Sequence, residues 1–342
     1  MKTFPSMIFV VLANLLLWPG CSKNEMVNMA GQTMGTTYHI KIAEPGITQK
    51  TLTKWHNQVD SVLREINRQM STYQPQSEIS QFNTWPAGRP FHVSPDFMNV
   101  LRLSLRIYRE SDGAFDVTVG PLVDLWGFGK EGKRSTPPGA DEIKKALAKV
   151  GSGRVRIAGD SLIVKEVPGL QLDFSAVAKG YGVDAVVALL NRNKIRNYMV
   201  EIGGEVLVRG TKFGKPWRIG IDRPSPGLAP GQQLDAILQL TDKAMATSGD
   251  YRNFFTFHDT LFSHEINPKT GKPVHNGVAS VTILAPSCAL ADAMATAIMV
   301  MGEKRGMEWV ESKPEVEALI IKRQDNSFKE IFSSGFKRYL AQ

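Results

Sequence analysis

The chain has 342 residues, room for one large domain or two ordinary ones. Hydrophobic residues at 42% and charged residues at 22% are the balance of a folded globular protein, which excludes a disordered chain and a polytopic membrane protein. The net charge of +8 permits an anionic partner, but the basic residues are scattered, which speaks against nucleic acid, and two cysteines exclude a disulfide framework.

Lys2 precedes a mostly apolar run of 12 residues from Met7 to Trp18. A membrane-spanning helix needs about 20 apolar residues, so this run is expected to be an export signal. Gly20-Cys21 follows, a small residue before a lone cysteine, and reads as a lipoprotein processing site with Cys21 as the lipidated N-terminus. Trp18 stands where such sites usually carry an aliphatic residue, and an ordinary signal peptide that happens to contain a cysteine is the alternative. The expected organisation is a signal over 1–20, a tether over 21–30 and a domain over 31–342, with room for two lobes. Cys288 is then a lone, buried thiol.

Thr33 to Tyr38 reads as a turn feeding an edge strand at His39–Ile42. Thr48 to Met70 carries Trp55, Val59, Val62, Leu63 and Ile66 at helical spacing. Ser71 to Ser80 follows directly and reads as a loop; its Tyr73 can stack on a planar ligand or close the edge of the core. Ser94-Pro95 opens a second amphipathic helix that ends at Gly113. Asp112 to Gly129 is rich in glycine, which lets backbone approach a ligand, with Asp116 beside Phe115 as acceptor and apolar wall; a turn without a ligand fits equally. Lys130 to Ala140 is expected to be a surface loop, Asp141 to Val150 a short helix, and Val155 to Val167 a hairpin around Gly159-Asp160. Leu170 to Asp173 is expected to be a short strand before a helix that reaches Asn193.

The remainder is strand-rich: Met199–Ile202, Glu205–Arg209, Trp217–Ile221, Leu234–Leu240, Asn253–Phe257 and Ala279–Leu284. Ala289 to Met301 is an Ala/Met-rich helix, and Val316 to Lys329 a final strand pair. Helices and strands are mixed without βαβ alternation, so the fold class is α+β. In the Ala/Met helix, Asp292 and Thr296 are four apart and share a face. An unpaired carboxylate on an apolar helix is costly, so Asp292 needs a partner. A carboxylate with a hydroxyl is half of a shell for Mg²⁺, whereas a carboxylate capping the helix start is the bland reading. The histidines show no zinc-hydrolase spacing, and G-x-S-x-G, P-loop and Rossmann signatures are absent.

Eight segments occur in order: T-M-G-T-T-Y from Thr33, S-T-Y-x-P-x-S-E-I-S from Ser71, G-A-F-D-V-T-V-G-P-L-V-x-L-W-G-F-G from Gly113, L-D-F-S-A-V-A-K-G-Y-G-V-D from Leu172, V-E-I-G-G-E from Val200, T-S-G-D-Y-R-N from Thr247, S-H-E-I-N-P-K-T-G-x-P from Ser263 and A-D-A-M-A-T-A from Ala291. Together they closely resemble the ApbE family from about Gly31 to the C-terminus. The resemblance implies an ApbE-like mixed fold around a flavin cleft. The implied activity is FAD:protein FMN transfer, in which the FMN half of FAD moves to a threonine of a target protein and AMP is released. It further implies an exported lipoprotein on the periplasmic face of a bacterial membrane, with an exported or membrane-bound redox subunit as acceptor. Carried over by motif, Met34, Tyr73, Ala114, Phe115, Asp116, Asp173, Lys179 and Ile266 line the FAD site. The Ala176 carbonyl, Asp292 and Thr296 hold Mg²⁺. Ala295 departs from the polar residue that many members carry, which removes any ligand from that side chain. Lys179 stands where some members have Glu.

Cleaving a pyrophosphate demands charge neutralisation and positioning rather than a covalent intermediate. The acceptor hydroxyl needs a base, for which His264 is the candidate; a structural hydrogen bond is its alternative role. Tyr251-Arg252 can contact phosphate or the acceptor. Two other readings use the same residues: a Mg²⁺-dependent FAD pyrophosphatase, and a flavin-binding lipoprotein without catalysis.

Overall fold

The computed structural model describes residues 26–341, apart from 130, 131, 133, 135, 226–230, 251–253, 258–259 and 325–326. Cys21, Tyr251 and Arg252 therefore lie outside the described residues, as do parts of the Lys130–Ala140 segment.

β1 (Val27–Thr33) and β2 (Thr36–Ile42) form an antiparallel hairpin. Its two-residue turn places Met34 at φ 50° and Gly35 at φ 72°, as a tight hairpin turn of this hand requires. β2 is not the edge strand: β1 covers it on one side and β6 (Tyr198–Ile202) on the other. α1 (Gln49–Met70) is capped by Thr48 and buries Val59, Leu63, Ile66 and Met70. The expected loop at Ser71–Ser80 ends in a helix, α2 (Glu78–Thr84), because the Ser77 Oγ accepts from the Ser80 N–H at 3.1 Å while Ile79 and Phe82 are buried.

β3 (Phe91–His92), α3 (Pro95–Glu110), α4 (Gly120–Leu125) and α5 (Ala140–Leu147) follow. β4 (Val155–Ile157) and β5 (Leu162–Lys165) are the expected hairpin, and β3 joins them in a small sheet. Leu170–Asp173 is not a strand. Its partner is a side chain: the Asn83 amide donates to the Leu172 carbonyl at 2.8 Å and accepts from the Leu172 N–H at 2.7 Å. Asn83 is itself steadied by the buried Lys165 ammonium, which donates to the carbonyls of Phe82, Asn83 and Leu170.

α6 (Ala178–Arg192) leads to β6 and then β7 (Glu205–Arg209), joined by a turn with Gly203 at φ 58° and Gly204 at φ 103°. β8 (Trp217–Asp222) and β9 (Leu234–Leu240) pair as a separate hairpin. Then come β10 (Lys243–Gly249), β11 (Phe254–Phe257), β12 (Thr260–Ser263), β13 (Ile266–Asn267), β14 (Lys272–Pro273) and β15 (Val278–Ala285). α7 (Cys288–Met301), α8 (Glu303–Glu311), β16 (Glu317–Gln324) and β17 (Ser327–Phe332) complete the chain.

One eight-stranded sheet, in the order β1-β2-β6-β7-β10-β15-β16-β17, organises the molecule. Its helix side packs Val281, Ile283, Ile320 and Ala246 against Met294, Ala297 and Ile298 of α7. Its other side packs Leu284, Met245 and Ile321 against Trp217, Ile219 and Leu238 of the β8–β9 hairpin. With both faces covered, every residue of β15 is buried. The fold is α+β, as the unalternating pattern of elements implies.

Candidate functional site

The site begins where α6 meets α7. A Cβ on Gly180 would stand 2.5 Å from the Cys288 carbonyl oxygen, so only glycine lets the helices come this close. At that contact the Gly180 N–H donates to Asp292 Oδ2 at 3.0 Å. Asp292 thus caps the first turn of a neighbouring helix rather than its own. The cap of α7 falls to Asp184, which accepts from the Cys288 and Ala289 N–H groups at 2.8 and 2.9 Å. Burial holds the Asp184 carboxyl up at about 6 against the pull of those donors.

Because the Gly180 N–H turns to Asp292, the Ala176 carbonyl receives no backbone N–H from the described residues. Asp292 is only 4% exposed, yet with Thr296 and Val300 it forms a stripe of α7 that lines a cleft of about 1150 Å³. Ala176 lies on the same wall. Thr296 Oγ1 sits 3.2 Å from Ser248 Oγ of β10. Among the described residues no group of three or more His, Cys, Asp or Glu could hold a metal ion. What this wall of the cleft offers is the Asp292 carboxylate with neutral oxygens, namely the Ala176 carbonyl and the Thr296 hydroxyl. An all-oxygen set with a single charge suits Mg²⁺, which keeps positions for water and phosphate oxygens.

Lys179 follows Ala176 by three residues and reaches into the same cleft. Its ammonium donates to Glu205 Oε1 at 2.5 Å. Burial works against the charge, but Asp292 and then Glu205 outweigh it and hold the ammonium above the usual lysine range. Glu205 is 3% exposed, and its Oε2 is buried without a hydrogen-bond partner among the described residues. Burial pushes its carboxyl up, the Asp292 charge adds to that, and Lys179 opposes it. This pair was not singled out as a pair from the sequence. Its trace there is the V-E-I-G-G-E segment, in which the glycine turn sets Glu205 at the start of β7.

The flavin-site residues implied by the motifs divide into several groups. Tyr73, 75% exposed, stands on the rim of the cleft, and Ala114, Phe115, Asp116, Asp173 and Ile266 also line it. Asp173 Oδ1 accepts from the Ser175 N–H at 2.8 Å, and its own N–H donates to the Val117 carbonyl, which ties the Asp112–Gly129 segment to the start of α6. The Asp116 carboxylate is already taken: Thr118 and Ser152 each donate a backbone N–H and a hydroxyl to it. Its side chain therefore fixes the glycine-rich loop. Met34 does not line the cleft; its Cε lies 3.0 Å from the Cβ position of Gly182, against α6.

His264 also lines the cleft, with Glu265. Its side chain is 35% exposed and its Nε2 is 3.5 Å from Glu265 Oε1. Burial raises the Glu265 carboxyl above the ordinary range. His39 and Glu201, 2.9 Å apart, lie on the wall near Gly203 and Gly204 and carry no role in the sequence reading.

Residues 34–320 match the model of the ApbE family. A protein of Vibrio cholerae named FAD:protein FMN transferase is 45% identical over 97% of this chain and 98% of its own. The structure titled flavin transferase ApbE from Vibrio cholerae superposes with a TM-score of 0.83 at 43% identity, over 92% of this chain and 99% of that one. The apo flavinyl transferase ApbE of Pseudomonas stutzeri gives 0.82 at 33% identity, over 92% and 96%. On sequence and on fold, the chain belongs to the ApbE family.

Proposed function

We propose that this enzyme transfers the FMN half of FAD to a threonine hydroxyl of a second protein in a Mg²⁺-dependent reaction. The observation that carries the reading is the meeting of Asp292, Thr296 and Ala176 on one wall of the cleft. Near-complete similarity to proteins named FAD:protein FMN transferase supports it.

In the transfer, the threonine oxygen attacks the FMN phosphorus, and the bond from that phosphorus to the bridging oxygen breaks. AMP leaves with the bridging oxygen, and the hydroxyl proton goes to a base. Asp292, Thr296 and the Ala176 carbonyl would hold Mg²⁺, which when bound supplies charge neutralisation for the pyrophosphate oxygens. Lys179 brings a second positive charge to the same wall, oriented by Glu205. His264 is partly exposed at the cleft, suited to accept a proton from an incoming hydroxyl. Tyr73, exposed on the rim, offers aromatic surface for a flavin ring, and Phe115 is buried in the core behind the wall.

The Met7–Trp18 run and Cys21 support export and lipid anchoring at the periplasmic face of a bacterial membrane, where an exported or membrane-bound redox subunit is accessible as acceptor. Incubation with FAD, Mg²⁺ and an acceptor domain separates the readings. A fluorescent acceptor band is the expected result. Free FMN and AMP without a labelled acceptor would make the enzyme a pyrophosphatase, and unchanged FAD would make it a binder.

A further inference from the structure

We propose that the acceptor protein docks by adding its threonine segment as a strand to an unpaired edge of β10 inside the cleft. The proposal rests on the transferase reading. β10 pairs with β15 from Ala244 to Gly249, but with β7 only from Lys243 to Met245. β7 stops at Glu205, where the Gly203-Gly204 turn reverses the chain. Ala246 stands opposite Glu205, and beyond that point Thr247 to Gly249 have a strand on one side only. Cys288 Sγ sits at the fork, 3.6 Å from the Val206 carbonyl and 3.9 Å from that of Met245.

The open edge is a wall of the cleft, with Thr247, Ser248 and Gly249 along it. The two hydroxyl side chains leave in opposite directions. Thr247 Oγ1 meets Thr282 Oγ1 at 2.8 Å, and Ser248 Oγ meets Thr296 Oγ1 at 3.2 Å. In an antiparallel strand, alternate residues direct both N–H and C=O to the same side, so either Ser248 or both Thr247 and Gly249 present unpaired groups on the side away from β15. No backbone group among the described residues pairs with them on that side. An unpaired strand edge is a template for another strand.

Strand addition also sets the chemistry. Main-chain bonds would seat an extended segment and fix its register, while the walls beside the edge select the side chains around the threonine. Residues directly opposite each other in a sheet share a face. A threonine opposite Ser248 thus projects to the α7 side, where Thr296 and, one turn earlier, Asp292 lie. Its immediate neighbours project to the other face, towards the side of Thr247.

The test uses nine-residue peptides taken from an acceptor domain around its threonine, each N-methylated at a single amide, incubated with the enzyme, FAD and Mg²⁺. Mass spectrometry reads the FMN–peptide adduct, and released AMP is measured in parallel. The expected result is labelling of the unmethylated peptide and a loss of tenfold or more at every second amide, with the amides between tolerant and FAD affinity unchanged. A labelled peptide with a flat or unalternating methylation profile overturns the docking and leaves the transferase reading intact. Free FMN and AMP with no labelled peptide counts against the transferase reading itself, and the docking falls with it. Protection of the Thr247–Gly249 amides from hydrogen exchange by FAD alone would also overturn the proposal, because the edge would then be a cofactor subsite.

Discussion

The Gly180 backbone N–H donates to Asp292 Oδ2 at 3.0 Å, across a helix contact that no larger residue than glycine can form. One bond thereby does two things. It anchors the buried carboxylate, and it leaves the carbonyl of Ala176, a residue of the cleft wall, without its helical partner among the described residues.

Gly180→Ala should separate α6 from α7, because its Cβ would meet the Cys288 carbonyl at 2.5 Å. Overpacking of this kind costs about 1–3 kcal/mol. Thermal unfolding should show the loss, and transfer should fall further than the stability loss explains. A variant as stable and active as the parent would mean that the two helices shift apart freely.

Asp292→Asn keeps an oxygen for the Gly180 N–H and removes the charge. Transfer should drop on the order of 10²–10³-fold, the scale of losing one electrostatic contact to a reacting phosphate. The Mg²⁺ concentration needed for half-maximal rate should rise. Thr296→Val should do less harm, since a neutral hydroxyl contributes less than a carboxylate. Titrating activity with Mg²⁺ for the three proteins checks the order.

His264→Ala should lower turnover on the order of 10²–10⁴-fold if the ring takes the acceptor proton. FAD affinity should hold, because the ring acts on the acceptor rather than on the cofactor. Single-turnover rates at saturating FAD and acceptor check this; a variant that turns over as fast as the parent assigns the base to another group.

Asp184 gives a stability prediction. Burial raises its folded carboxyl to about 6, above the unfolded value, so the native state holds this proton more tightly. Its contribution is complete below the ordinary aspartate range and is lost as pH rises through roughly 4 to 6. Asp184→Asn keeps an acceptor for only one of the Cys288 and Ala289 N–H groups, which lowers stability at every pH, and should remove that part of the slope. Urea midpoints measured from about pH 4 to pH 7 test this; identical slopes in both proteins would contradict it.

The long helices were legible because their periodicity and caps agree, as at Thr48 before α1 and Ser94 before α3. β10 was not. Lys-Ala-Met-Ala-Thr-Ser-Gly has little strand propensity, and its conformation comes from pairing with the fully buried β15. β1 was missed for a related reason: Gly31 interrupts it, and the Tyr38 ring across that glycine fills the gap. Leu170–Asp173 looked like a strand because its residues are extended and apolar, but its ladder is the amide of Asn83. At the site, the Asp292–Thr296 spacing was readable within one helix. The contacts that give it meaning join positions far apart, Gly180 with Asp292 and Lys179 with Glu205, and only the folded chain brings them together.

The most direct test of the central claim is the intact mass of an acceptor domain after incubation with the enzyme, FAD and Mg²⁺. The account predicts a gain equal to one FMN less one water, one AMP released per adduct, and no gain when the acceptor threonine is replaced by valine. AMP release with an unchanged acceptor mass, or the same mass gain on the valine acceptor, would contradict it.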